Sequence, residues 1–224
     1  VKAAVLFTGG KDSTYALHLA YLQGYDIAVL ASIVPLYEYS MLYHRPYPEI
    51  LKLQAKSMGF PIEFSYLHEK DLEENVLKNL IKKVKEEYGV EVLVTGAVLS
   101  DYQRMRFSMI AEEYNIEVVN PLWRIDQEKY LLELVENGIE FILLSINTYG
   151  LTPEFLGRII RYDDAVKIIE LAKRYGFNPS FEGGEAETLV VYAPLYSKRL
   201  RVEGEIVKRG PYEYVYIIKN AELS

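Results

Sequence analysis

Apolar runs alternate with amphipathic stretches along the first half of this chain, and that alternation admits few folds. Val1–Phe7, Asp26–Val34, Ile62–Tyr66, Glu91–Thr95 and Ile116–Val119 are rich in Val, Ile, Leu, Phe or Ala and read as strands. Between them the spacing predicts helices over Ser13–Gln23, Pro48–Met58, from Asp71 onward, and over Tyr102–Tyr114. The third of these carries Leu72, Val76, Leu77, Leu80, Ile81 and Val84 at helical intervals. Asp71 with Glu74 three residues on has the form of a capping box. Gly24, Gly59 and Gly89 stand where helices should stop. Mostly apolar strands separated by such helices predict a five-stranded parallel sheet covered on both faces. Its crossovers should be right-handed. Ligands of such a sheet bind beyond the carboxyl ends of the strands, where the strand order reverses.

After Asn120-Pro121-Leu122-Trp123 the pattern changes. Helices are predicted over Gln127–Glu136 and Asp163–Tyr175, with strands over Glu140–Asn147, Thr188–Ala193, Leu200–Lys208 and Tyr212–Lys219. Arg209-Gly210-Pro211 reads as a hairpin link. The expected organisation is an α/β domain over residues 1–124 and a smaller α+β domain over 125–224.

The chain has no cysteine, which excludes disulfides, cysteine metal sites and a cysteine nucleophile. Its net charge of -7 argues against stable nucleic-acid binding, which needs clustered Lys and Arg. No run is apolar enough for a bilayer span. The first apolar stretch is short and enters a Gly-Gly turn rather than a cleavage site. A soluble cytoplasmic protein is expected. His18, His44 and His68 show no metal-ligand spacing, and His18 is expected to pack.

The first strand runs into Thr8-Gly9-Gly10-Lys11-Asp12-Ser13-Thr14. Adjacent glycines let the backbone turn with no side chain in a ligand's way. The amides that follow are the unpaired donors of a helix N-terminus, at the positive end of its dipole. A polyphosphate suits such a place, with the hydroxyls of Thr8, Ser13 and Thr14 as further donors and Lys11 as counter-charge. The spacing is neither that of a Walker A loop nor that of the dinucleotide fingerprint.

Three further clusters follow. Glu38-Tyr39-Ser40-Met41-Leu42-Tyr43-His44 comes after the second strand. Thr95-Gly96-Ala97-Val98-Leu99-Ser100-Asp101-Tyr102-Gln103-Arg104-Met105-Arg106 follows the fourth, on the same sheet edge as the opening loop. There Gly96 would let a nucleotide approach the backbone, and two arginines could neutralise a leaving pyrophosphate. Phe181-Glu182-Gly183-Gly184-Glu185-Ala186-Glu187-Thr188 gathers three carboxylates about a Gly-Gly turn. It reads either as a solvated acidic turn or as a place for a cation: Mg²⁺ carried on ATP, Lys11, the arginines or an incoming ammonium.

The opening loop resembles the SGGKDS motif of the PP-loop (N-type) ATP pyrophosphatases, with Thr8 in place of the first serine. These enzymes cleave ATP between its α and β phosphates. All the clusters together, in order from Thr8 to Leu195, resemble the diphthine–ammonia ligase (diphthamide synthase) family. Its members show Gly-Ala-x-x-Ser-x-Tyr-Gln-Arg-x-Arg, Pro-Leu-Trp and Glu-Gly-Gly-Glu-x-Glu-Thr. Ser108 and Ala186 stand where that family usually has Glu and an aromatic residue. The resemblance implies a Rossmann-like, adenine nucleotide alpha hydrolase-like fold. It also implies a ligase forming a C–N bond, with translation elongation factor 2 as protein substrate. A carboxylate on its modified histidine, diphthine, is adenylated by ATP, and ammonia displaces AMP to give diphthamide.

On that resemblance ATP contacts fall to Thr8, Gly9, Gly10, Lys11, Asp12, Ser13, Thr14, Ser32, Ile33 and Gly96. Lys11, Arg104, Arg106, Glu185 and Glu187 become the catalytic set. Ser40, Met41, His44, Asp101, Gln103, Glu182, Gly183, Gly184 and Thr188 become substrate contacts, and Mg²⁺ comes with ATP, with Asp12 as its candidate ligand. Free ammonium is the expected nitrogen donor, since the usual glutaminase domains need a catalytic cysteine. The C-terminal strands can pair across a homodimer. The rival readings are an adenylating ligase for another carboxylate or a tRNA base, and an ATP-binding sensor without chemistry.

Overall fold

A computed structural model of the chain describes residues 1–36 and 47–224. They divide into two compact units, Val1–Trp123 and Arg124–Ser224.

The first unit is a parallel sheet of strands β1 (Lys2–Leu6), β2 (Asp26–Pro35), β3 (Ile62–Leu67), β4 (Val92–Val94) and β5 (Glu117–Val119), in the order β3-β2-β1-β4-β5. Helices α1 (Lys11–Leu22), α2 (Pro48–Met58), α3 (Glu73–Tyr88) and α4 (Asp101–Glu113) belong to the same unit. The chain builds outward from β1 through β2 and β3, then crosses back to lay β4 on the other side of β1. That reversal places the loops after β1 and after β4 side by side at the carboxyl edge, the switch point where α/β sheets take ligands.

One sheet face is sealed by Leu77, Leu80, Ile81 and Val84 of α3 and Ile110 and Ala111 of α4, packed on Ala4, Val29, Ala31 and Leu93. Val76, Leu77, Leu80, Ile81 and Val84 of the stripe read at 3.6-residue spacing are therefore the core face, whereas Leu72, read with them, precedes the helix and is exposed. The capping box expected at Asp71 is absent. The Asp71 carboxylate accepts from the His68 amide at 2.9 Å, and α3 starts two residues later behind Leu72, with no side-chain cap. A local side-chain bond back to the preceding turn has outcompeted the cap. Ser100, unremarked as a cap in the sequence, does the work for α4 by accepting from the Gln103 amide at 3.2 Å.

The second unit is an antiparallel sheet of β6 (Glu140–Asn147), β7 (Ala186–Tyr192), β8 (Leu200–Lys208) and β9 (Glu213–Leu223), in the order β7-β6-β9-β8. Two helices, α5 (Gln127–Glu136) and α6 (Tyr162–Tyr175), contribute buried Leu131, Leu134, Ile168 and Ala172 to its core. Arg209, Gly210, Pro211 and Tyr212 form the β8–β9 link, the Arg209 amide donating to the Glu213 carbonyl at 2.8 Å.

Candidate active site

The loop after β1 turns through Gly9, whose φ of 78° lies in the left-handed region. A methyl there would also meet Gln54 Oε1 at 2.6 Å and Leu51 Cδ2 at 2.7 Å. Glycine is thus required twice, by conformation and by the close approach of α2. Gly10 caps α1 in extended conformation with no side-chain acceptor, and α1 begins at Lys11, two residues before the predicted start. Lys11, Asp12 and Ser13 are consequently the first helical turn, whose amides have no intrahelical acceptor. Asp12 is the acidic residue of that turn.

Side chains fix the loop. The Thr8 amide donates to Ser13 Oγ at 3.1 Å, the two hydroxyls lie 3.2 Å apart, and the Gly10 amide reaches Thr8 Oγ1 at 3.4 Å. Two of the three hydroxyls read as phosphate donors therefore tie the loop to itself. The third, Thr14 Oγ1, is buried and has no hydrogen-bond partner among the described residues. Gln54 Nε2, wholly buried, donates to the Gly9 carbonyl at 3.1 Å across 45 residues of chain. Sequence reading missed it, though the signal was present: Gln54 falls on the apolar stripe of α2, with Ile50, Leu51, Ala55 and Met58.

Lys11 is 2 % exposed, and its Nζ lies 2.8 Å from Asp12 Oδ1. A buried ammonium must be paired. This pair holds the cation at the head of α1, where its exchange for a phosphate would leave the charge balance intact.

Gly96 has a packing task besides the one expected of it. A methyl on it would lie 2.8 Å from the Ser13 amide nitrogen and 2.9 Å from the Asp12 carbonyl carbon. The first turn of α1 rests on Gly96, so this glycine admits the loop after β1 itself. Thr95 and Asn120, from the loops after β4 and β5, are joined by a short hydrogen bond, Thr95 Oγ1 donating to Asn120 Oδ1. Ser32 and Ile33 lie on β2 beyond the level of the end of β1. Ser32 is buried, and its Oγ is unpartnered among the described residues.

Arg104 and Arg106 part company. Two residues apart on a helix point to nearly opposite sides. The Arg104 guanidinium stacks 4.8 Å from the Trp123 ring and lies 3.6 Å from Asp101, with a buried Nε that has no partner among the described residues. Arg106 turns toward α3, 3.7 Å from Glu73. Asp101 and Gln103 are exposed on the first turn of α4. On the same sheet edge a cleft of about 390 Å³ opens between β3 and α3, lined by Ser65, Asn75 and Asn79 among others. Ser40, Met41 and His44 lie outside the described residues.

In the second unit the acidic turn is built by Phe181 (φ 66°) and Gly184 (φ 82°), with the Gly184 amide donating to the Phe181 carbonyl at 3.1 Å. Its three acids are not equivalent. Glu185 is buried, and its Oε2 accepts from the Asn178 amide at 2.6 Å. A methyl on Gly183 would meet that carboxylate at 2.9 Å, so the turn folds over Glu185. Glu182, Glu187 and Thr188 are half-buried. Among the described residues, no group of three or more His, Cys, Asp or Glu side chains is arranged to hold a metal ion.

A 3-2-1-4-5 parallel sheet with an uncapped, glycine-led helix at its switch point defines a Rossmann-like nucleotide-binding domain of the PP-loop kind. Family models for the diphthamide synthase N-terminal and C-terminal domains match residues 1–118 and 126–223. The chain is 30% identical over 227 residues to the diphthine–ammonia ligase of Homo sapiens, covering 92% of this chain and 85% of that one. It is equally similar to the diphthine–ammonia ligase of Rattus norvegicus, at 30% identity over 91% of this chain and 83% of that one. The diphthine–ammonia ligase of Schizosaccharomyces pombe is 29% identical over 97% of this chain, which corresponds to 39% of that longer protein. This chain belongs to the diphthamide synthase family.

Proposed function

We propose that this chain is a diphthine–ammonia ligase, acting with ATP and ammonium on the diphthine of translation elongation factor 2. The match of both units to the two diphthamide synthase domains carries the reading. The chemistry is an amidation in two displacements. A carboxylate oxygen attacks the α phosphorus of ATP, the bond to the β phosphate oxygen breaks, and pyrophosphate leaves. Ammonia then attacks the carbonyl carbon of the mixed anhydride, loses a proton, and expels AMP.

The residues of the first unit suit the first displacement. Gly9, Gly10 and the amides of Lys11, Asp12 and Ser13 offer hydrogen bonds to the β and γ phosphates, with Thr14 Oγ1 completing the set. Lys11 gives up its pairing with Asp12 to a phosphate oxygen, which stabilises charge as pyrophosphate departs. Asp12 is thereby available to Mg²⁺, which binds through one or two carboxylates plus phosphates and would supply further charge neutralisation. Arg104, held over Trp123, is the arginine we assign to the leaving group; Arg106 supports the helix beside it. Ser32, Ile33 and the Gly96 loop flank the nucleoside. In the second unit we assign acceptor contacts to Glu182, Glu187 and Thr188, and give Glu185 the task of holding their turn.

No helix among the described residues is long and apolar enough to cross a membrane. An elongation-factor substrate puts the reaction in the cytoplasm. Pairing of two copies would use the β8 edge of the C-terminal sheet, where β9 is the neighbour on one side only.

The test combines the protein with ATP, ammonium and diphthine-bearing factor. The expected products are AMP, pyrophosphate and a factor whose mass falls by the exchange of hydroxyl for amine. Lys11→Ala should abolish AMP formation. AMP with an unaltered factor would assign another carboxylate, and no AMP under any condition would leave a sensor.

A further inference from the structure

Four tyrosines from separate parts of the second unit line one cavity of about 370 Å³: Tyr149, Tyr175, Tyr212 and Tyr214. Tyr149 lies in the turn after β6, Tyr175 ends α6, Tyr212 precedes β9 and Tyr214 lies on it. The fold brings them together by a specific device. Gly150 has a φ of 107°, and a methyl there would lie 2.6 Å from the Tyr175 ring. The Tyr175 ring therefore rests on bare backbone. Tyr149 stands against it at 84° and 5.0 Å between centroids, and against Tyr212 at 77° and 5.1 Å. Perpendicular rings make corners, and each corner presents a π face from one wall and an edge or face from the next.

These rings are not core. Tyr149 and Tyr212 are 59% and 54% exposed. Their neighbours show what such faces attract. The Arg174 guanidinium lies 5.3 Å from the Tyr175 ring, and Lys208 Nζ lies 5.8 Å from Tyr214. Among the described contacts no cation lies on Tyr149 or Tyr212. The cavity wall also includes Glu154 and Lys167, whose charges are paired with each other at 3.2 Å.

We propose that this cavity binds a methylated ammonium group. Ring faces carry negative quadrupole potential and repel anions. A bare ammonium has three N–H donors to satisfy, and the ring faces that form these corners supply none of the acceptors it would leave behind in water. A quaternary ammonium has no N–H to satisfy. It buries its methyls on Leu151, Leu171 and the rings while its charge faces the π clouds. The site lies wholly in the C-terminal unit and does not depend on the ligase reading.

The experiment titrates the full-length protein with choline and with 3,3-dimethylbutan-1-ol, which has the same shape with carbon in place of nitrogen. Binding is followed by calorimetry and by NMR of labelled tyrosine rings, with no ATP present. Choline should bind about tenfold more tightly than the neutral alcohol, as two ring faces on a cation would give. Tyr149→Phe should retain that preference, since the ring stays. Tyr149→Leu and Tyr212→Leu should each remove most of it, and both side chains are exposed enough for the variants to fold. Equal affinity for the alcohol would overturn the proposal, as would no saturable choline binding. So would choline binding unaffected by either leucine variant. Sedimentation showing a dimer that Tyr212→Leu dissolves would also overturn it, by assigning the rings to a second copy.

Discussion

Gly96→Ala asks whether the β4 loop sets the position of the phosphate loop. The added methyl would lie 2.8 Å from the Ser13 nitrogen, 2.9 Å from the Asp12 carbonyl carbon and 3.1 Å from its oxygen. All three are backbone atoms, so no rotamer change relieves the clash. Ordinary contact begins at 3.4 Å, so the first turn of α1 must retreat by about 0.6 Å. Overpacking of that order costs about 1–3 kcal/mol of stability. The atoms that retreat belong to the turn assigned to phosphate, and a 1 Å misplacement can cost a reaction about 100-fold. We therefore expect urea unfolding to show a loss of about 1–3 kcal/mol. AMP formation should fall by about 10- to 100-fold in kcat/KM. Gly59→Ala is the control. Its φ of 79° strains alanine, but nothing lies within 4 Å of the new methyl. It should lose about 1–2 kcal/mol and keep its turnover. If Gly96→Ala formed AMP at the rate of Gly59→Ala, the contact would not position the loop and the reasoning would fail.

Three more outcomes follow from the same geometry. Thr14→Val removes a buried hydroxyl with no partner among the described residues. The ligand-free protein should hold its stability or gain up to about 1 kcal/mol in thermal melts, while KM for ATP rises; a loss of stability with unchanged KM would contradict the assignment. Arg104→Ala should lower AMP formation more than tenfold by an estimate of about 1.5–3 kcal/mol for a charge-assisted contact, whereas Arg106→Ala, already turned to Glu73, should stay within about threefold. Steady-state assay of the pair checks this, and equal losses would mean both guanidiniums face the phosphates. Burial holds the His18 imidazole below its ordinary value near 6.5, against the opposing effect of the Nδ1–H bond to the Thr14 carbonyl. The unfolded chain takes up that proton first as pH falls. His18's contribution is therefore complete above pH 6.5 and declines as pH drops toward the depressed native value. Denaturation across that range should show the slope, and His18→Gln should flatten it.

Local pattern settled much of this molecule. The order of strands and helices, the core stripe of α3 and the glycine-led turn before α1 are written in short-range spacing, because hydrophobic period and turn chemistry act over a few residues. The divergence of Arg104 and Arg106 was not read there, and both were given to the pyrophosphate, although helical geometry alone separates positions two apart. Contacts between distant segments were not legible in such spacing. Gln54 on the Gly9 carbonyl spans 45 residues, Thr95 meets Asn120, and the Gly96 backbone takes the weight of α1. The inward turn of Glu185 depended on where the Asn178 amide lies, and no spacing rule reports that. The four tyrosines are spread from position 149 to 214 and share a cavity only because β6, α6 and β9 pack in one unit. The sequence by itself determined which elements form and what kind of ligand the first loop invites. Which side chains serve that ligand, and which are consumed in holding the loop and turn, was decided by tertiary packing, because a buried polar group takes whichever partner the fold brings within hydrogen-bond reach.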